Sequence, residues 1–178
     1  MIFTKTHLSG LFIVDVDKRV DQRGYFCRTF CSEEFASAGL ATEFVQCNLS
    51  HNLRTGTLRG MHYQNEPYPE AKLVRCTRGA ILDVVVDLRA DSATHKQSLT
   101  IELTQQNARS LYIPAGFAHG FLTLADDTDV FYQMTEFYHA ELSCGVRWND
   151  PAFAINWPIA EPFLSDRDAN YPNYSSST

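Results

Sequence analysis

The sequence lacks paired cysteines, a long apolar run and an excess of basic residues. Its five cysteines form no CxxC pair, which is typical of reduced thiols in a cytoplasmic protein and unlike a disulfide framework or zinc site. No apolar run is long enough to cross a bilayer, and the N-terminal stretch lacks a signal-peptide core, so we expect neither a membrane protein nor a secreted one. The formal net charge of −6 argues against general nucleic-acid binding, although a few local cations can still bind an anionic small ligand.

Short β-rich segments dominate the chain. With 178 residues, 44% of them hydrophobic, the sequence predicts one domain spanning residues 1–178. One short helix is predicted from Ser32, as its N-cap, to near Gly39. Branched and aromatic residues between turns predict strands at 11–16, 25–30, 42–50, 72–76, 80–88, 98–103, 110–113, 117–124 and 129–138. This pattern is typical of an all-β sandwich or jelly roll. After Trp157 we expect a tail that wraps the surface from about residue 158 and frays at 175–178.

The block 57–64 carries the first candidate for chemistry, His62. In a regular strand, His62 shares a face with Leu58 and Gly60, and Arg59 lies on the other face unless a bulge near Gly60 resets the register. A lone histidine is more often structural than catalytic. Positive charge from Arg59 and Lys72 nearby favours the neutral imidazole that a general base needs, which strengthens the catalytic interpretation.

The blocks 113–121 and 130–138 carry weaker signals. His119 lies between glycines and phenylalanines, which indicates either close approach of a ligand or tight turns. Tyr132 and Tyr138 are six residues apart, so we expect them on one face of one strand, either as half-buried aromatics or as a phenolic acid and a stacking platform. His62 and His119 are too few ligands for a zinc or iron site, and we predict no metal.

Seven motifs in order resemble the dTDP-4-dehydrorhamnose 3,5-epimerase family. They are Asp21-Gln-Arg-Gly-Tyr-Phe26, Gln46-Cys-Asn-Leu-Ser50, Leu58-Arg-Gly-Met-His-Tyr-Gln64, Lys72-Leu-Val-Arg-Cys76, Pro114-Ala-Gly-Phe-Ala-His-Gly-Phe121, Trp148-Asn-Asp-Pro151 and Ser165-Asp-Arg-Asp168, with Tyr132 and Tyr138 between them. The resemblance covers nearly the whole chain. It implies a cupin-like double-stranded β-helix (jelly roll) and inversion of C3, C5 or both in a nucleotide-linked 4-keto-6-deoxy sugar, in deoxysugar or polysaccharide biosynthesis, without a cofactor.

The resemblance also implies roles for individual residues. His62 is the implied base, oriented by Asp168 or by its neighbour Asp166. Lys72, helped by Arg59, stabilises the enolate oxygen, and Tyr132 returns a proton from the opposite face. The implied substrate-binding residues are Arg23, Phe26, Arg28, Gln46, Asn48, Arg59, His119, Tyr138, Ser143 and Arg167. The family also implies a homodimer in which residues 23–28 act in the pocket of the partner.

Three residues depart from the family pattern. Arg28 stands where a glutamate is common, Ser143 where an aspartate is common, and Arg167 where a lysine is common. Arg28 has donors only and cannot accept the ring N–H of thymine. It either donates to cytosine, which predicts a CDP-linked substrate, or turns toward a phosphate and leaves thymidine as the base. A 3,4-ketoisomerase, a metal-dependent oxygenase and a non-catalytic nucleotide-sugar-binding cupin are the other functions considered.

Overall fold

Antiparallel strands are the main secondary structure of residues 1–175, which are the residues that the computed structural model describes. The expectation of fraying at 175–178 falls mainly on residues 176–178, outside the described part. The strands are β1 (Ile2–Lys5), β2 (Phe12–Asp15), β3 (Arg19–Asp21), β4 (Gly24–Phe26), β5 (Gln46–Asn52), β6 (Leu58–Gln64), β7 (Lys72–Arg78), β8 (Ala80–Asp87), β9 (Ser98–Thr104), β10 (Ser110–Ile113), β11 (Phe117–Thr123), β12 (Thr128–Met134) and β13 (Ser143–Gly145). The helices are α1 (Ser32–Ser37) and α2 (Asp166–Ala169), with 3₁₀ turns at Ala140–Leu142 and Pro151–Phe153.

Two sheets pack face to face and form the jelly roll. The order is β1-β2-β10-β7-β12-β5 in the six-stranded sheet and β13-β6-β11-β8-β9 in the five-stranded sheet. Alternate residues of each strand point inward, so Val74 and Val130 of the first sheet meet Val85, Phe117 and Phe121 of the second in one buried cluster. The all-β jelly-roll prediction is confirmed. No helix among the described residues is long and apolar enough to span a bilayer.

Helix α1 is held by aromatic packing and not by a capping side chain. Phe35 is fully buried, and its ring lies 5.2 Å from that of Phe3 and 4.9 Å from that of Phe30. The N-cap is Cys31, without a side-chain hydrogen bond, so the prediction that Ser32 caps the helix is wrong. A helix this short has little stability of its own, and burial of Phe35 supplies what the cap does not.

Two predicted strands end earlier in the structure than the sequence suggested. β4 stops at Phe26, so residues 27–30 of the predicted strand 25–30 lie outside any strand. β12 stops at Met134, which pairs with Gln46 and Lys72, the first residues of both neighbouring strands. Beyond that point the backbone has no strand to pair with. Tyr138 therefore lies outside β12, and the expectation that it shares a strand face with Tyr132 is wrong.

A β-bulge interrupts β6 where it pairs with β11. His62 is opposite His119 and Arg59 is opposite Phe121, so two residues of β6 face one residue of β11. The extra residue resets the two-residue period and turns Arg59 and His62 to the same side. Glycines permit the close crossing: Gly60 has a φ of +148°, and a Cβ on it would lie 2.6 Å from Cα of Gly120. Of the two registers predicted for this strand, the structure has the bulged one.

The C-terminal segment covers the outer face of the five-stranded sheet. Phe153, Trp157 and Tyr174 pack against Met61 and its neighbours. Phe163 is tied by backbone hydrogen bonds to Gly56 (2.8 Å) and Leu58 (2.9 Å) at the start of β6. The segment also forms α2, which brings Asp168 against β6.

Candidate active site

A pocket of about 560 Å³ opens between the two sheets at the end not filled by the core. Residues from both inner faces form its walls, and the mouth is formed by the segments after β12 and around α2. Its lining comprises Gln46, Asn48, Leu49, Ser50, His51, Arg59, His62, Tyr63, Gln64, Glu70, Lys72, His119, Phe121, Tyr132, Met134, Tyr138, Ser143 and Arg167. The lining is mixed in charge, with cationic, anionic and aromatic side chains in one space, which is typical of a site for a polar ligand.

His62 on the five-stranded sheet is paired with a buried carboxylate. Its Nε2 lies 2.7 Å from Oδ1 of Asp168, and Oδ2 accepts a hydrogen bond from the Gly60 amide at 3.3 Å. Ser165 caps α2 by accepting from the Asp168 amide, which fixes the carboxylate. Burial raises the pKa of Asp168, but the hydrogen bonds from His62 and Gly60 outweigh it and hold the pKa below its usual range. The neighbouring Asp166 is exposed, so Asp168 is the carboxylate that reaches His62.

Lys72 and Tyr132 lie on the facing wall, which belongs to the six-stranded sheet. Tyr132 is flanked by Asn48 on β5 and Val74 on β7. Burial raises the pKa of Tyr132, the positive charge of Arg59 partly offsets this, and the negative charge of Glu70 adds to the rise. The Tyr132 phenol therefore carries its proton at neutral pH and can donate it.

Besides His62, three cationic or imidazole side chains of the pocket have fixed partners. Lys72 Nζ is 2.8 Å from Glu70 Oε1, His119 Nε2 is 2.8 Å from Asp83 Oδ1, and Arg59 Nε donates to Asn52 Oδ1 at 2.7 Å. These partners hold the side chains in one geometry, because a long cationic side chain otherwise samples many rotamers.

Glu70 and Asp83 were missed by sequence reasoning. Asp83 had a signal, since it is a carboxylate in the middle of the otherwise apolar strand Ala80–Asp87, and a buried charge requires a partner. Glu70 had only its position two residues before Lys72, in a loop whose conformation no periodicity predicts.

The predicted substrate-binding residues around the mouth are joined by hydrogen bonds. Gln46 donates to Asn48 at 3.2 Å and accepts from the Tyr138 amide at 3.1 Å. Arg167 donates to Ser143 Oγ at 2.9 Å. Gln46, Asn48, Arg59, His119, Tyr138, Ser143 and Arg167 all line the pocket, so the structure brings these seven together with His62, Lys72 and Tyr132, with Asp168 behind His62.

The three N-terminal candidates lie elsewhere within the subunit. Arg23 and Phe26 are exposed on the β3–β4 hairpin, where Arg23 is ion-paired with Asp21 at 2.6 Å. Arg28 is ion-paired with Glu34 at 2.8 Å, and the same Glu34 binds the N-terminal ammonium. None of the three contributes to the lining of the pocket in its own subunit.

His, Cys, Asp and Glu are the side chains that could hold a metal ion in this protein. Among residues 1–175, no three His, Cys, Asp or Glu side chains are grouped closely enough to hold a metal ion. His62 and His119 each use Nε2 to contact a carboxylate, so these imidazoles are already committed to hydrogen bonds.

The fold and site define a cupin-like jelly roll with a histidine–carboxylate pair facing a tyrosine and a lysine across a polar pocket. The family model described as dTDP-4-dehydrorhamnose 3,5-epimerase matches residues 5–176. The chain is 44% identical over 172 residues to the dTDP-4-dehydrorhamnose 3,5-epimerase of Methanothermobacter thermautotrophicus, covering 95% of this chain and 92% of that protein. This chain therefore belongs to the dTDP-4-dehydrorhamnose 3,5-epimerase family.

Two solved structures agree closely with this fold. The dTDP-4-dehydrorhamnose 3,5-epimerase of Bacillus anthracis with TDP and PPi bound superposes with a TM-score of 0.95 at 39% identity, covering 97% of this chain and 99% of that one. The dTDP-6-deoxy-D-glucose-3,5-epimerase of Legionella pneumophila, in complex with dTDP-4-keto-L-rhamnose, gives 0.91 at 36% identity, covering 97% and 92%.

Replacing Asp168 with asparagine should make stability less dependent on pH. Because the pKa of Asp168 is lowered by folding, its ionised form contributes stability above the ordinary carboxyl range, and this contribution is lost as the pH falls. We expect Asp168→Asn to lower the free energy of unfolding by about 1–3 kcal/mol at neutral pH, with the difference from the unsubstituted protein shrinking on acidification. Denaturant unfolding over a pH series measures this. The exposed Asp166→Asn is the matched control, expected to change stability by less than about 0.5 kcal/mol.

Proposed function

We propose that this protein inverts C3 and C5, the ring carbons next to the ketone, in dTDP-4-dehydro-6-deoxyglucose. The observation that carries the proposal is the placement of His62, paired with Asp168 of α2, on one sheet and of Tyr132 on the facing sheet. Epimerisation requires removal of a proton from one face of the ring and its return to the other, so the base and the acid must flank the substrate. Two facing sheets meet this requirement with no oxidant or reductant.

His62 is the proposed base. Its Nε2 contacts Asp168, which as an ionised carboxylate accepts a hydrogen bond, so Nε2 carries the proton and Nδ1 keeps its lone pair. The side chain is 37% exposed, so substrate can reach the ring. The C–H bond next to the ketone breaks, its proton moves to Nδ1, and its electron pair forms the enolate. Asp168 stabilises the imidazolium that results, as a carboxylate does beside a catalytic histidine.

Lys72 and Tyr132 complete the proposed reaction. The Lys72 ammonium, with the Arg59 guanidinium, stabilises the negative enolate oxygen, and fixed charge aimed at such an oxygen is usually a large catalytic contribution. Tyr132 then donates its phenolic proton to the opposite face of the carbon and is reprotonated from solvent, to which His62 releases the proton that it removed. The net change is one inverted centre, with no atoms gained or lost.

The pocket mouth is the proposed nucleotide site. Arg167, Gln46, Asn48 and His119 supply donors for phosphate and sugar oxygens, and the half-exposed Tyr138 offers a face for the base. dTDP is the favoured nucleotide, since relatives are named for dTDP sugars. The ion pair of Arg28 with Glu34 supports a structural role for this arginine and weakens the alternative of a CDP-linked substrate.

A homodimer is the proposed assembly, with residues 23–28 reaching the partner's pocket. Within residues 1–175 the β3–β4 hairpin pairs with no other strand, and its Val20 and Phe26 are 76% and 71% exposed. A lone two-stranded hairpin with exposed apolar side chains is marginal in water, and docking on a second copy provides the missing support.

Location in the cytoplasm is part of the proposal, because all five cysteines are free thiols.

The chemistry is tested by solvent exchange. In D2O with dTDP-4-keto-6-deoxyglucose, the enzyme should introduce deuterium at C3 and C5, detected by NMR, and His62→Ala should abolish exchange at both carbons. Tyr132→Phe should retain part of the exchange but lower inversion by about 100-fold or more, because general acid catalysis contributes about 10²–10⁴-fold.

The matched control for the base is His7→Ala, at an exposed histidine outside the pocket, which should exchange normally. Undiminished exchange in His62→Ala contradicts the base assignment. Deuterium at C3 alone assigns a 3-epimerase, and binding without exchange by the unsubstituted protein supports the non-catalytic alternative.

Nucleotide preference is tested by titration with dTDP, CDP and GDP in a calorimeter. We expect dTDP to bind at least about tenfold more tightly than CDP, a difference of about 1.4 kcal/mol. Tighter binding of CDP shows instead that Arg28 reads cytosine, and Arg28→Glu should then reverse the order.

Action in trans is tested by mixing two inactive variants, His62→Ala and the double variant Arg23→Ala/Phe26→Ala. If residues 23–28 act in the partner's pocket, random reassociation leaves about a quarter of all pockets intact, because half of the dimers are mixed and each has one complete site. Recovery of activity to about that level supports the dimer. No recovery, or a monomer mass by light scattering, contradicts it.

A further inference from the structure

Among the residues that the structure describes, Glu70 is the one carboxylate in the pocket lining, and the proposed reaction leaves it unused. Its side chain is 4% exposed, and Oε1 contacts the Lys72 ammonium, whose side chain is 12% exposed. The second oxygen, Oε2, is buried and has no hydrogen-bond partner within the described residues. A buried ion pair is weak support for stability, because desolvation of both charges offsets their attraction. A half-satisfied buried carboxylate beside reacting groups therefore points to function.

The loop that carries Glu70 is fixed on both sides of it. On one side, the buried Gln64 side chain donates to the Tyr68 carbonyl at 2.6 Å. On the other, Ala71 and Thr135 exchange two hydrogen bonds, Ala71 N–H to Thr135 Oγ1 at 2.9 Å and Thr135 N–H to the Ala71 carbonyl at 3.0 Å. Glu70 is thus held by a rigid frame and does not reach the pocket from a loose loop.

We infer that Glu70 is a positioning residue that acts through Lys72, and that its charge also helps the acid on the same wall keep its proton. The inference rests on the proposed function. Lysine has a flexible stem and a compact charge, so a fixed carboxylate defines where its ammonium lies. An enolate oxygen then meets a charge already in place, which is the condition for strong stabilisation.

The second part of the inference follows from the surroundings of Tyr132. The negative charge of Glu70 contributes to the raised pKa of Tyr132, after burial, and Arg59 opposes it. The ionisable groups that share the pocket with Tyr132 are His51 on β5, Arg59, His62 and Tyr63 on β6, Glu70 and Lys72 at the start of β7, His119 on β11, and Tyr138 and Arg167 at the mouth. Among them Glu70 is the only carboxylate, so its removal leaves the phenol facing mainly positive charge.

Two substitutions separate position from charge. The amide side chain in Glu70→Gln can still accept a hydrogen bond from Lys72 but carries no charge. We therefore expect kcat near neutral pH to stay within a few-fold of that of the unsubstituted enzyme. In Glu70→Ala the ammonium loses its anchor, and kcat should fall about 10- to 100-fold with little change in KM.

In both variants the alkaline limb of the pH–rate profile should move to lower pH, because the phenol loses the charge that helps it keep its proton. Glu102→Gln, on an exposed position of β9, loses one charge far from the pocket and is expected to leave both readouts unchanged.

A second readout does not depend on activity. Ultraviolet titration of the protein minus that of Tyr132→Phe isolates the Tyr132 phenol, and the same difference in the Glu70→Gln background should titrate at lower pH. If Glu70→Ala fails to fold, Glu70→Gln still decides this part. Unchanged kcat in Glu70→Ala together with an unmoved phenol titration overturns the inference, as does equal loss of kcat in both variants with no pH shift. Absence of exchange in the unsubstituted protein overturns the proposed function instead, while the phenol titration still tests Glu70.

Discussion

The bulge at the crossing of β6 and β11 is the constraint on which the site depends. In a regular strand, Arg59 and His62 would point to opposite sides of the sheet. One extra residue between them turns both side chains into the pocket. The crossing is tight enough that only glycine fits at residues 60 and 120. The Gly60 amide donates a hydrogen bond to Asp168. The bulge that orients His62 therefore also holds the carboxylate that contacts this histidine.

The second organising feature is the division of labour between the two sheets. The five-stranded sheet carries His62, with Asp168 held against it by α2, and the six-stranded sheet carries Lys72 and Tyr132. Beyond the packed core, the pocket of about 560 Å³ between the two sheets leaves room for a sugar ring. The jelly roll thus places an opposed acid and base on facing walls of one pocket.

Paired charges explain how an acidic protein offers a pocket to an anionic substrate. The formal net charge is −6, yet the pocket concentrates cations whose positions are set by fixed hydrogen-bond partners. Lys72 is held by Glu70, Arg59 by Asn52 and Arg167 by Ser143. Preorganised charge of this kind stabilises a developing oxyanion without rearrangement during the reaction.

The sequence by itself determined the strand pattern, the jelly roll and most of the pocket lining, because alternation and turn residues are local signals and the motif spacing is specific. It did not determine that β12 ends at Met134, since that depends on where β5 and β7 begin. Nor did it identify Glu70 and Asp83, or choose Asp168 over Asp166. Those outcomes depend on contacts between distant segments, such as the 106 residues that separate His62 from Asp168. Periodicity reports which face a residue occupies, and only the packed chain decides which charge lies across from it.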